Sequence, residues 1–229
     1  MHTERAAQHL EVIRTLMERS TLYRRALAPV MGLAGVLGAT AAAAGCWWAP
    51  ALGGGAGREA WFVGYWLGLA VLGLGAALFL VRRQAIRAGE PFWSLPTRRV
   101  VRAALPAGGS GLVLGGLAFA VLLVRGEAVG PWRESVMLDL PLAWAVLYGC
   151  ALHAAGFFMP RGIKWFGWSL VLGAWALLAA RHLQIWNAVG LPALPPAIWG
   201  HGVMGLLFGV WHLAYGGYLA WTEPKTVSA

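Results

Sequence analysis

The sequence predicts an all-α protein: a polytopic transmembrane bundle of six spans, preceded by an amphipathic helix on the cytoplasmic surface. Three observations carry this. Hydrophobic residues make up 59% of the 229-residue chain and charged residues only 12%, about half the charged fraction of an ordinary soluble domain. The apolar residues come in runs of about 20, the length that crosses roughly 30 Å of hydrocarbon. The positive charge is gathered into short segments between those runs, on alternate sides, as the topology of a membrane protein requires.

Residues 3–26 have a helical period. Leu10, Ile13, Leu16, Met17, Tyr23 and Leu27 share one face, and Glu11, Arg14, Glu18 and Arg25 the other. A helix lying in the headgroup region, or docked on a protein partner, accounts for that pattern. The spans are then expected over 27–48, 60–81, 104–124, 135–158, 165–186 and 198–221, with a short cytoplasmic tail over 222–229. Small residues ahead of Cys46 also suit a lipoprotein cleavage site. The charged segment before that first run is about 25 residues long, however, too long and too amphipathic for an ordinary signal, so a retained span is expected. Cys46 is placed near the outer surface and Cys150 mid-membrane, which argues against a disulfide, and neither belongs to a CxxC pair.

Orientation follows from the basic residues. With the N-terminus inside, 14 of the 18 Lys and Arg residues fall on the cytoplasmic side, six of them (82, 83, 87, 98, 99 and 102) in the long connection 82–102. The outer side holds Arg58, Arg125, Arg133 and Arg181. This asymmetry predicts a multi-pass bacterial inner-membrane protein with both termini cytoplasmic. The net charge of +9 is explained by topology and by anionic lipid headgroups, not by nucleic acid. Trp47, Trp48, Trp61, Trp132, Trp186 and Trp199 mark the expected outer interface, and Trp93, Trp165 and Trp221 the inner one.

Two groups of residues within the spans have chemical potential. The last three spans carry His153, His182, His201 and His212. Counted along the helices at about 1.5 Å per residue, His153 and His212 share the inner half, and His182 and His201 the outer edge. The small face Ala145, Gly149, His153, Gly156 of the fourth span matches a stripe of Gly202, Gly205, Gly209, His212 and Gly216 on the sixth. Packing those faces would bring His153 toward His212. Facing histidines can ligate haem b axially, and two such levels would be similar in plan to a diheme b-type cytochrome, except that the outer pair here takes one member from the fifth span. The same histidines serve equally as polar links between helices.

The second group is Asp139, Arg181 and His182, with Glu134, Gln184 and Asn187 at similar depth. A charge inside a span calls for a partner, so Asp139 and Arg181 are expected to pair. They either fix helix register or line a polar outer site for a small solute or proton. No GxSxG, HExxH or P-loop motif is present, and no catalytic or metal-ligating residue is assigned. The leading expectation is a non-enzymatic membrane component, without a cofactor, acting by association with lipid or with a protein partner through the N-terminal helix. The competing ones are electron transfer on haem b and transport through the polar outer site.

Overall fold

The computed structural model describes residues 27–52, 56–129, 132–160, 162–185 and 194–222. The amphipathic segment 1–26, Trp186, Asn187 and the tail beyond Thr222 lie outside the described residues. Those described are helical, with no strand among them. Six of the helices are long and apolar enough to cross a membrane: α1 (Leu27–Ala51), α2 (Ala56–Arg87), α3 (Leu95–Arg125), α4 (Trp132–Ala155), α5 (Gly162–His182) and α6 (Pro196–Thr222). Even the shortest, at 21 residues, reaches about 31 Å at 1.5 Å per residue.

The arginine-rich connection is shorter than the sequence leads one to expect. Helix α2 runs on through Arg82, Arg83 and Arg87, and α3 begins at Leu95 with Pro96 in its first turn. Proline is at home there, where the missing N–H has no helical partner in any case. Ser94 caps the helix by accepting from Thr97 N at 3.5 Å. Pro91 and Pro96 therefore punctuate a tight turn between two long helices. We refer to this side of the bundle as the arginine end and to the other as the far end.

Close helix contacts are made by small residues. Helices α1 and α6 run antiparallel, with Gly35 facing Leu213, Ala39 facing Gly209, Ala42 facing Gly205 and Gly45 facing His201. A methyl group on Gly38 would lie 2.5 Å from the Phe208 carbonyl oxygen, so the two backbones are nearly in contact. Helices α4 and α5 form a second such pair through Gly149 and Gly167. Between α3 and α4, the Trp144 indole lies over Gly115, and its Nε1–H donates to Gly111 O at 2.9 Å.

Helix α6 contains a π-helical turn at Gly205–Val210. Residues 201, 205, 209 and 213 all meet α1, a spacing of four that would drift by about 40° per step in a regular α-helix. The wider turn absorbs that drift. It also corrects the expected glycine stripe. Gly205, Gly209 and Gly216 face α1, Gly202 meets nothing, and Leu213 takes the α1-facing place that regular periodicity gave to His212.

The buried apolar residues form two clusters. One lies toward the far end around Phe62, Val63, Trp66, Leu122, Met137 and Met204, and draws on every helix except α5. The other lies toward the arginine end around Met31, Leu142, Ile163, Phe166, Leu170 and Leu207. Neither α2 nor α3 contributes a buried residue to the second cluster. No residue of α2 after Trp66 is buried, and none of α3 before Gly111.

Candidate functional site: two buried histidines and the far-end ion pairs

His201 lies one turn into α6, only 1% exposed, in the far-end cluster. Trp66 Nε1–H donates to its Nδ1 at 3.1 Å, which leaves the proton of a neutral ring on Nε2. Phe62, Tyr65 and Trp61 complete an aromatic surround, with ring centroids 4.9, 5.8 and 5.9 Å away. Gly45 makes room for the ring, because a Cβ there would fall 2.2 Å from Nδ1. Tyr65 in turn donates its hydroxyl to Ala41 O at 2.8 Å, tying α2 to α1. Trp61, expected at the interface, belongs to this surround, whereas Trp47, Trp48, Trp132, Trp165 and Trp221 are exposed near helix ends.

His212, also 1% exposed, lies in the second cluster just past the π turn. Its Nδ1 is 3.2 Å from Leu207 O. A carbonyl only accepts, so Nδ1 carries the proton, and the neutral ring accepts from the Tyr148 hydroxyl at Nε2, 3.1 Å away. Phe166 and Phe208 flank the ring. Both nitrogens are thus engaged by this chain's own groups. Tyr148→Phe leaves Nε2 without its donor, and we expect a loss of about 1–2 kcal/mol. Unfolding in mixed micelles, followed by tryptophan fluorescence, measures this. A Tyr148→Phe protein as stable as the parent would show that the hydroxyl does not hold the ring.

The expected histidine pairs are not brought together. The small face of α4 packs on α5 instead of α6, since Gly149 meets Gly167 and Gly156 meets Lys164. His153 consequently has Phe157 and Trp168 as ring neighbours, and its Nδ1 is buried without a hydrogen-bond partner. His182 is exposed at the end of α5. No ring contact among the described residues joins His153 to His212 or His182 to His201. With His212 Nε2 held by Tyr148 and His201 Nδ1 by Trp66, these surroundings do not fit haem ligation by those pairs.

Asp139 and Arg181 form an ion pair between α4 and α5 near the far end. Both side chains are partly exposed, at 44% and 27%. Gln184, exposed two residues beyond His182, ends the helical run with φ of 51°. Asn187 and the side chain of Glu134 lie outside what is described.

A second ionic group was not singled out from the sequence. Glu59, 0% exposed in the first turn of α2, faces Arg58 Nη2 at 3.4 Å and Arg133 Nε of α4 at 3.7 Å. An acid in the first turn of a helix is commonplace, and that masked it. The informative signal was the coincidence of Glu59 with Arg58 and Arg133 at span ends of the same depth. Among the described residues no group of three or more His, Cys, Asp or Glu is disposed to hold a metal ion. Compared with protein-family models, curated proteins and solved structures, the chain gives no match.

Proposed function

We propose that this chain is a non-enzymatic, multi-pass component of a bacterial inner membrane that works by association, using the uncovered half of the α2–α3 hairpin. The distribution of Lys and Arg supports placing the arginine end in the cytoplasm. One observation carries the reading: the bundle finishes its core with α1, α4, α5 and α6 at the arginine end, and leaves α2 and α3 outside it. Gly68, Gly73 and Gly75 of α2 and Gly109 and Gly116 of α3 meet no neighbour within 4 Å. Gly35, Gly38, Gly149 and Gly167 serve close helix contact, whereas these, like Gly202 and Gly217 of α6, have none. Such open small-residue surfaces in hydrocarbon favour packing against a further helix or an acyl chain.

The test is a photoreactive side chain placed at Leu105 on the hairpin and, for comparison, at Leu172 on α5, both exposed. Irradiated membranes should give one discrete adduct from Leu105 and only diffuse lipid adducts from Leu172. Identical diffuse adducts from both positions would reject the hairpin as a contact surface.

A further inference from the structure

Resting on that association reading, we infer that the uncovered face of α2 is a binding site for one anionic phospholipid, whose phosphate is held by Arg82, Arg83 and Arg87. Past Trp66 much of α2 is exposed, Val71, Leu74 and Leu78 included, and one line of exposed positions runs through Gly68, Leu72, Gly75 and Phe79 to Arg82, Arg83, Ile86 and Arg87. This line is apolar for several turns and then abruptly cationic. A concavity of about 360 Å³ lies at the change, walled almost entirely by carbon: the Phe79 and Ile86 side chains and the stems of Arg82, Arg83 and Arg87.

The physical requirements of a phospholipid match that order. Gly68 and Gly75 leave open space where side chains would otherwise stand, so an acyl chain can approach the α2 backbone there and lie against Leu72 and Phe79. Phe79 and Ile86 are 65% and 66% exposed, an apolar surface that gains by being covered with hydrocarbon. The C-terminal end of a helix repels an anion, so recognition falls to the guanidinium groups, whose planar forks suit a phosphate diester. None of the three arginines makes an ion pair with a described acid, which leaves their charge available. The combination of a long apolar strip with a cationic end selects a lipid over a soluble phosphate, because the strip has no use for the latter.

The full-length protein in mild detergent, titrated with phosphatidylglycerol or with phosphatidylcholine of the same acyl chains and observed by native mass spectrometry, tests this. Wild type should favour phosphatidylglycerol by about tenfold or more, the scale set by several basic groups acting at a membrane surface. The variant R82Q/R83Q/R87Q should lose that preference. These side chains are exposed, and its helical circular dichroism should match wild type. R98Q/R99Q/R102Q removes equal charge from α3 and should keep the preference. Equal loss in both variants, or no preference in wild type, would overturn the site. Glycerophosphoglycerol competing as well as the intact lipid would also overturn it, by reducing it to a phosphate site. A protein adduct at Leu72 that excludes lipid would assign the face to a protein instead. Cross-linking from Leu105 is scored separately, so the lipid site and the hairpin's role in association stand or fall apart.

Discussion

Gly167→Val is expected to abolish the native bundle, or to destabilise it by about 3 kcal/mol or more, the upper range for overpacking. The first carbon added at Gly167 would lie 2.6 Å from Gly149 O and 2.8 Å from His153 N. Both are backbone atoms, so no rotamer change relieves the clash and α4 must move bodily away from α5. That displacement would also disturb Tyr148, Phe166 and the hydrogen bond to His212. Gly116→Val provides the comparison, since nothing lies within 4 Å of Gly116. Melting in detergent should separate the two sharply. Equal midpoints would mean that α4 and α5 do not approach as closely as described.

Glu59→Ala carries the second largest expected effect, about 3 kcal/mol, because removing one member of a buried ion group strands its partners. Glu59 is fully buried, while the Arg58 and Arg133 side chains are 24% and 20% exposed. Partial rehydration of the arginines should therefore keep the loss toward the lower end of the buried-pair range. Glu59→Ala combined with Arg133→Ala should be less destabilising than the two changes added together, the signature of direct coupling. Strict additivity would show that Glu59 is held by something other than Arg133.

The sequence made the six helices legible because each apolar run is long enough to cross hydrocarbon and is punctuated by Gly, Pro or Arg. It also made the Asp139–Arg181 pairing legible, since two isolated opposite charges at equal depth leave few alternatives. What it could not reveal is which faces meet. Depth follows from counting residues, but facing depends on side-chain size in three dimensions. Gly149 and Gly156 look equally able to receive α6 or α5, and α5 was the nearer in the chain. His212 illustrates a second limit. Its direction depends on a π turn that periodicity cannot foresee, so a stripe built on 3.6 residues per turn put it on the wrong neighbour. Trp66 and Tyr148 escaped notice for a simpler reason: an aromatic residue in an apolar run gives no sign that its polar atom is the partner of a distant histidine.

The clasp between α1 and α6 bears on how the molecule is made. The first and last of the six helices are each other's closest glycine-to-backbone partners, and Trp66 takes as its acceptor a ring 135 residues further along the chain. Until α6 is made, α1 therefore has its glycine edge unoccupied, and the far-end cluster lacks His201 and Met204. The hairpin of α4 and α5, by contrast, can close as soon as both of its strokes are inserted. Assembly thus has a natural last step: arrival of α6 fills the glycine edge of α1 and supplies both buried histidines at once.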